Sequence, residues 1–161
     1  SPPQFQEVLK NINPEIKTNQ NEKFDDDAQK EFLKGAKIAY ETIITDFSDD
    51  DNKLIKSKPL LSKKIQDQFN EALKERNSRG HFAQITFIGV NSADIKEHKK
   101  ANNILRVTVD FVAEVITCIK DKDKKIISGD PEKIKKIYDT WVFLRDTRSQ
   151  NPNWQLVDIL T

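Results

Sequence analysis

The chain has 161 residues, of which 36% are apolar and 33% charged, and its formal net charge is +1. This length fits one domain, and nine phenylalanines and two tryptophans supply core material that a disordered chain lacks. The single cysteine excludes an intrachain disulfide and a thiolate zinc site, and no apolar run reaches the roughly 18 residues of a membrane-spanning helix. Cys118 follows Ile116 and Thr117 in a strand pattern, which predicts a buried, inert thiol.

The charges are unevenly distributed along the chain. Residues 1–51 carry six lysines against twelve acids, whereas residues 52–100 carry eleven basic groups against five acids. The net charges of these two parts are −6 and +6, and residues 101–161 contribute +1. The pattern fits either an ordinary solvated surface or a basic face for anionic lipid or an acidic partner.

The first residues form a short apolar stripe. Its members, spaced as on one face of a helix that ends at Pro14, are Phe5, Val8, Leu9 and Ile12. A helix this short is not stable alone, so it must dock on its own domain, a membrane or a partner. A polar linker follows at residues 17–23, and we expect an N-terminal helix and linker over 1–24 and a domain over 25–161. The chain contains no methionine, which indicates a processed form or a piece of something longer.

Two longer helices are predicted next. Acidic caps at Asp25–Asp27 and apolar residues at helical spacing predict a helix over 27–48, and Gly35 within it suggests close approach of another backbone. Asp49–Asp51 can cap a short helix around Leu54. A further helix is predicted over 59–77, ended by Gly80.

After Gly80 the apolar period changes from helical to alternating. The predicted strands are Phe82–Val90, Ile104–Lys120, Ile126–Gly129, Ile137–Asp146 and Trp154–Ile159, the last two joined by the turn Asn151-Pro152-Asn153. Helices first and antiparallel strands afterwards predict an α+β fold, with helices packed on one face of a curved antiparallel sheet to form a cone.

No motif for catalysis, a metal or a cofactor is present. Phosphate-binding glycine loops do not occur, and the two histidines lack ligand spacing. Asp110 is predicted to face away from the helices as a solvated charge. Asp139 shares a face with Trp141, so it is a candidate buried base that pairs with an arginine. Basic clusters such as Lys133–Lys136 are interleaved with acids, so no nucleic-acid partner is predicted.

The basic cluster at the start of the second long helix is different, because no acid interrupts it. Its members are Lys56, Lys58, Lys63 and Lys64. Clustered lysines next to a helix are suited to anionic phospholipid head groups.

Several residues together resemble the Tim44-like domain family. They are Phe32, Gly35, Ala36 and Tyr40 on the first long helix, Arg76 and Gly80 at the end of the second, Val109, Phe111, Gly129 and Asp130 in the strands, and Asp139, Trp141, Phe143, Arg145, Asp146, Asn151–Trp154, Leu156 and Val157 at the end. The resemblance covers residues 25–161, and the final turn is similar to that of bacterial members. Lys37 and Leu144 depart from the family pattern.

The resemblance implies a cone fold related to nuclear-transport-factor-two-like domains. It also implies peripheral or anchored attachment to an inner membrane, with any anchor upstream of Ser1, contact with cardiolipin-containing lipid, and translocase or chaperone subunits as partners. Chaperone tethering does not carry over, because no segment matches the family's chaperone-binding region.

We therefore expect a non-catalytic, membrane-associated binding module that acts in protein translocation. Its lipid contacts would be the stripe at Phe5, Val8, Leu9 and Ile12 and the four lysines. The alternatives are a small-ligand-binding or isomerase-type cone enzyme, a ribosome or nascent-chain receptor at the membrane, and an inert spacer.

Overall fold

The computed structural model describes residues 23–48, 54–149 and 154–161. Its helices are α1 (Asp26–Thr45), a short 3-10 helix (Lys58–Leu60) and α2 (Lys63–Ser78). The strands are β1 (Phe82–Ala101), β2 (Ile104–Lys120), β3 (Ile126–Gly129), β4 (Lys135–Asp146) and β5 (Gln155–Ile159). The predicted N-terminal stripe and the Asp49–Asp51 cap lie outside the described residues. Around Leu54 the chain forms a turn that leads into the 3-10 helix.

Helix α1 confirms the predicted apolar face. The Asp25 carboxylate caps the helix by accepting a hydrogen bond of 3.0 Å from the backbone N–H of Ala28. The buried side chains follow one another at helical spacing and are Phe32, Ala36, Ala39, Tyr40 and Ile43. This face packs against the sheet and fixes the direction in which α1 crosses it.

The prediction for Gly35 is wrong within the described part of the chain. A Cβ atom built at Gly35 would have no described heavy atom within 4 Å. No described backbone therefore approaches this glycine, and its presence in the helix has no packing explanation among these residues.

Helix α2 begins later than predicted because Pro59 belongs to the 3-10 helix that precedes it. Ser62 caps α2 through a hydrogen bond of 3.3 Å from the N–H of Ile65. At the other end Gly80 has φ +69°, and the N–H groups of Gly80 and His81 donate to the carbonyls of Asn77 and Arg76. This is the Schellman arrangement, so the predicted helix end at Gly80 is confirmed.

The sheet is antiparallel, with strand order β1-β2-β4-β5, and β3 pairs with β2 beyond the end of β4. Strand β1 continues to Ala101, well beyond the predicted end at Val90. Three irregularities in its pairing with β2, the first between Phe87 and Gly89, interrupt the period of two on which the prediction depended. A tight turn with positive φ at Asn102 and Asn103 joins the two strands.

The core lies between the helices and the inner face of the sheet. Strand β2 alternates as predicted, with Leu105, Val107, Val109, Phe111, Ala113 and Val115 buried. Trp141 and Phe143 of β4 join this layer beside α1 residues, and Leu156 of β5 completes it. The α+β fold, with helices on one face of a curved antiparallel sheet, is thus confirmed.

Candidate functional site

The lysine cluster lies where the chain passes from α1 to α2. Lys56 is in the turn after Leu54, Lys58 opens the 3-10 helix, and Lys63 and Lys64 form the first turn of α2. All four are exposed. The other half of the predicted lipid site, Phe5, Val8, Leu9 and Ile12, lies outside the described residues.

Two of the four lysines form ion pairs. Lys63 Nζ lies 2.7 Å from Asp67 Oδ1, one helical turn further on, and Lys64 Nζ lies 3.7 Å from Asp158 Oδ1 of β5. The Lys63 and Lys64 side chains are still 83% and 60% exposed. Exposed pairs of this kind contribute about 0–1 kcal/mol, so an anionic ligand can compete for both lysines. Lys56 and Lys58 pair with no acid in the described part of the chain.

A second polar feature lies inside the fold. The Tyr40 hydroxyl of α1 donates a hydrogen bond to Asp139 Oδ2 of β4, across 99 positions of sequence. The sequence pattern predicts an arginine partner for Asp139, whereas the partner in the structure is a tyrosine. Only the placement of α1 across β4 brings the two together, so neither residue's neighbours in sequence signal the pair.

Burial and this hydrogen bond shift the pKa of both groups. Burial raises the pKa of Asp139, and the hydrogen bond from Tyr40 opposes that rise. Among the described residues, the buried Nε1 atom of Trp141 has no hydrogen-bond partner. The pKa of Tyr40 is raised by burial, by the hydrogen bond and by the charge of Asp139, so its hydroxyl stays protonated.

Aromatic rings pack around Tyr40. Tyr40 stacks on Phe111 with ring centroids 4.3 Å apart, and its ring lies 4.6 Å from Trp141 and 6.1 Å from Phe87. Tyr40 has no exposed surface. A general base needs a substrate proton within hydrogen-bond reach, but here the Tyr40 hydroxyl bonds the carboxylate and packed rings surround the tyrosine. The geometry favours a structural link between helix and sheet.

The other residues considered for chemistry have structural partners. Asp110 Oδ1 accepts a hydrogen bond of 2.6 Å from Thr140 Oγ1 on the next strand. Its register places it on the sheet face opposite the core, as predicted. Cys118 is buried, also as predicted, with its sulfur 3.6 Å from Gln84 Oε1.

Within residues 23–48, 54–149 and 154–161, no helix is long and apolar enough to cross a membrane. The same ranges hold no group of three or more histidine, cysteine or acidic side chains placed to bind a metal ion.

The family model for the Tim44-like domain matches residues 16–161. The chain belongs to the Tim44-like family. The match includes both described helices, the whole sheet and the four lysines, and it agrees with the resemblance found in the sequence.

Two curated proteins are similar to this Tim44-like chain. The mitochondrial import inner membrane translocase subunit TIM44 of Mus musculus is 24% identical over 94 residues, which are 57% of this chain and 21% of the mouse protein. The probable mitochondrial import inner membrane translocase subunit tin-44 of Caenorhabditis elegans is 28% identical over 74 residues, 45% of this chain and 17% of the nematode protein. The matched regions thus span about a fifth of the length of these relatives.

A solved structure shares the fold. The intermembrane space region of the chloroplast protein ARC6 superposes with a TM-score of 0.52 at 12% identity, covering 80% of this chain and 95% of that one. At this identity the likeness concerns the fold alone.

Proposed function

We propose that this Tim44-like domain is a non-catalytic binding module that acts in protein translocation at an inner membrane, where it contacts anionic phospholipid and a protein partner. The translocation role is supported by the names of the mouse and nematode relatives, both translocase subunits. The interior of the domain supports a non-catalytic role, because Asp139, the carboxylate with the raised pKa, is hydrogen-bonded to the buried Tyr40.

The observation that carries the lipid contact is the exposure of all four lysines in one short stretch of chain. Each lysine near an anionic membrane surface contributes on the order of 1 kcal/mol. Four such contributions give weak, salt-sensitive binding, which apolar insertion by Phe5, Val8, Leu9 and Ile12 would strengthen. Peripheral attachment follows from this mechanism, with or without an anchor elsewhere in the protein.

The test is sedimentation with vesicles of phosphatidylcholine and cardiolipin in equal parts by mass, at low ionic strength. We expect replacement of Lys56, Lys58, Lys63 and Lys64 by glutamate to abolish most of the binding. The matched control replaces Lys122, Lys124, Lys125 and Lys133, which are also exposed, and changes the net charge equally. Unchanged binding of the first variant would contradict the lipid contact, and equal losses in both would show that only net charge matters.

The protein partner is tested separately from the lipid. A translocase partner predicts capture of membrane translocase subunits from detergent extracts and no co-sedimentation with ribosomes. Co-sedimentation with ribosomes in the absence of lipid would favour the receptor alternative.

A further inference from the structure

The turn between α1 and α2 contains one isoleucine that is exposed to solvent. Ile55 is 65% exposed, although its neighbour Leu54 is 3% exposed and Ser57 is completely buried. A single exposed isoleucine is ordinary on a protein surface. The feature that distinguishes this one is the hydrogen-bonded turn in which it lies.

The backbone of this turn is fixed at several points. Leu54 has φ +55°, a left-handed conformation that is costly for a residue with a branched side chain and persists only where the surroundings enforce it. Its carbonyl accepts a hydrogen bond of 2.9 Å from the N–H of Lys58. The N–H of Ser57 donates 2.7 Å to Asp46 Oδ2, a carboxylate that is itself only 2% exposed. Leu54 before Ile55 and Ser57 after it are fixed by these contacts, so the Ile55 side chain stays outside the core.

The stretch of chain that follows Leu54 carries basic residues and no acidic ones. Residues 54–66 contain no acid, and the exposed Lys56 and Lys58 lie on the C-terminal side of Ile55 without an acidic partner among the described residues. The same stretch contains neither arginine nor an aromatic residue. Protein interfaces are enriched in arginine and aromatic side chains that fill matching pockets. A bilayer surface needs no matching pocket, because its acyl boundary accepts an isolated aliphatic group and its phosphates attract hydrated ammonium groups.

We propose that Ile55 is an apolar insertion point of this domain, held by the fixed turn into the head-group region of an anionic phospholipid bilayer while Lys56 and Lys58 meet the lipid phosphates. This inference rests on the proposed lipid contact and adds a residue that lysine attraction does not require. It also predicts which side of the molecule faces the membrane: the side on which the turn after α1 lies.

The experiment compares the complete chain with Ile55→Ser and Ile134→Ser on vesicles of phosphatidylcholine and cardiolipin in equal parts by mass. Ile134 is the matched control, because it is 58% exposed and lies between Lys133 and Lys135, immediately before β4. We expect Ile55→Ser to weaken binding roughly tenfold through lost apolar insertion, with an unchanged salt dependence, and Ile134→Ser to bind like the parent protein.

A second measurement does not depend on affinity. Ile55→Trp is expected to show a blue-shifted tryptophan emission on vesicle binding and quenching by brominated lipid beyond that of the parent protein. The Ile134→Trp variant is expected to show neither change.

The outcomes separate the two proposals. If the parent protein binds, the four-lysine variant fails and Ile55→Ser binds normally, the insertion point is wrong, the lysine contact stands, and the turn is better suited to an acidic protein surface. Equal losses in both serine variants, or quenching at Ile134→Trp alone, would also overturn the inference. If the parent protein binds no vesicle, the lipid contact and the insertion point fail together.

Discussion

Tyr40 and Asp139 tie the first helix to the centre of the sheet through one hydrogen bond. The tyrosine is fully buried and the aspartate partly so, which makes their bond a packing constraint as well as a polar contact. Because burial raises the pKa of Asp139, the folded state binds its proton more tightly than the unfolded chain does. Ionisation of Asp139 therefore costs stability as the pH rises from 3.8 through its folded pKa, and the Tyr40 hydroxyl limits that cost.

Replacing Tyr40 by phenylalanine removes the donor and keeps the ring. We expect the free energy of unfolding to fall by about 1–2 kcal/mol at a pH well above the folded pKa of Asp139, where the carboxylate is charged. The loss should be smaller below pH 3.8, where the carboxyl is protonated in both states. Urea unfolding at the two pH values measures both effects. The control Tyr138→Phe, at a side chain that is 66% exposed, should change stability by a few tenths of a kcal/mol at most. An equal loss at both pH values would contradict a role for the carboxylate charge.

Two glycines of the helical elements differ in backbone conformation and in what an added methyl group would meet. Gly35 lies within α1, where no described atom would meet an added methyl group, whereas Gly80 ends α2 with φ +69°. Glycine within a helix costs roughly 1 kcal/mol relative to alanine. In the left-handed conformation glycine is preferred, because a Cβ atom there meets the following carbonyl.

We expect Gly35→Ala to raise the free energy of unfolding by about 1 kcal/mol and Gly80→Ala to lower it by about 1 kcal/mol. Thermal and urea unfolding of the two variants measure whether each substitution raises or lowers the free energy of unfolding. A destabilised Gly35→Ala protein would show that residues outside the described part of the chain approach this glycine. A vesicle-binding or partner-binding defect without loss of stability would place a contact there instead.

The elements also show how far the sequence could predict the fold. Apart from the buried Thr108, strand β2 alternates from Leu105 to Val115, so its buried face followed from the apolar period. The second half of β1 is rich in charged residues, especially from Lys96 to Lys100, and its pairing with β2 is irregular. Apolar and polar residues therefore do not alternate there, and the sequence does not predict this part of the strand. The Tyr40–Asp139 bond depends on where α1 crosses β4, which local pattern does not encode. The lysines were predicted as a group, but the pairing of Lys64 with Asp158 required the position of β5.

Within the described residues, the acidic first part of the chain (residues 1–51, net charge −6) and the basic second part (residues 52–100, net charge +6) share one core. The buried cluster joins both parts, from Phe32 and Tyr40 of α1 to Leu61 and Ile65 around the start of α2. Asp46, from the acidic part of the chain, stabilises the basic turn because its carboxylate accepts a hydrogen bond from the Ser57 N–H. The basic surface is therefore a local property of the turn and of the start of α2, built on a core shared by the whole domain.

The last prediction concerns the division of the chain near residue 24. The described core begins with Phe24, whose ring lies 5.8 Å from Phe32 and 6.2 Å from Trp154, so a protein that begins at residue 23 keeps every described core contact. We expect this shortened protein to unfold cooperatively, with far-ultraviolet circular dichroism typical of an α+β domain. We also expect it to bind cardiolipin vesicles more weakly than the complete chain, because the apolar stripe is gone.

The shortened protein could instead lose stability and keep its vesicle binding. That result would show that the apolar stripe is buried against the domain and not in the membrane. Four apolar side chains docked on the domain would contribute several kcal/mol, at about 1.5–3 kcal/mol for each fully buried side chain. A shortened protein that loses that much stability but binds vesicles as before would assign Phe5, Val8, Leu9 and Ile12 to the fold. Lipid binding would then depend on the lysines and the turn alone, and its salt dependence should match that of the complete chain, because the same charges meet the membrane in both proteins.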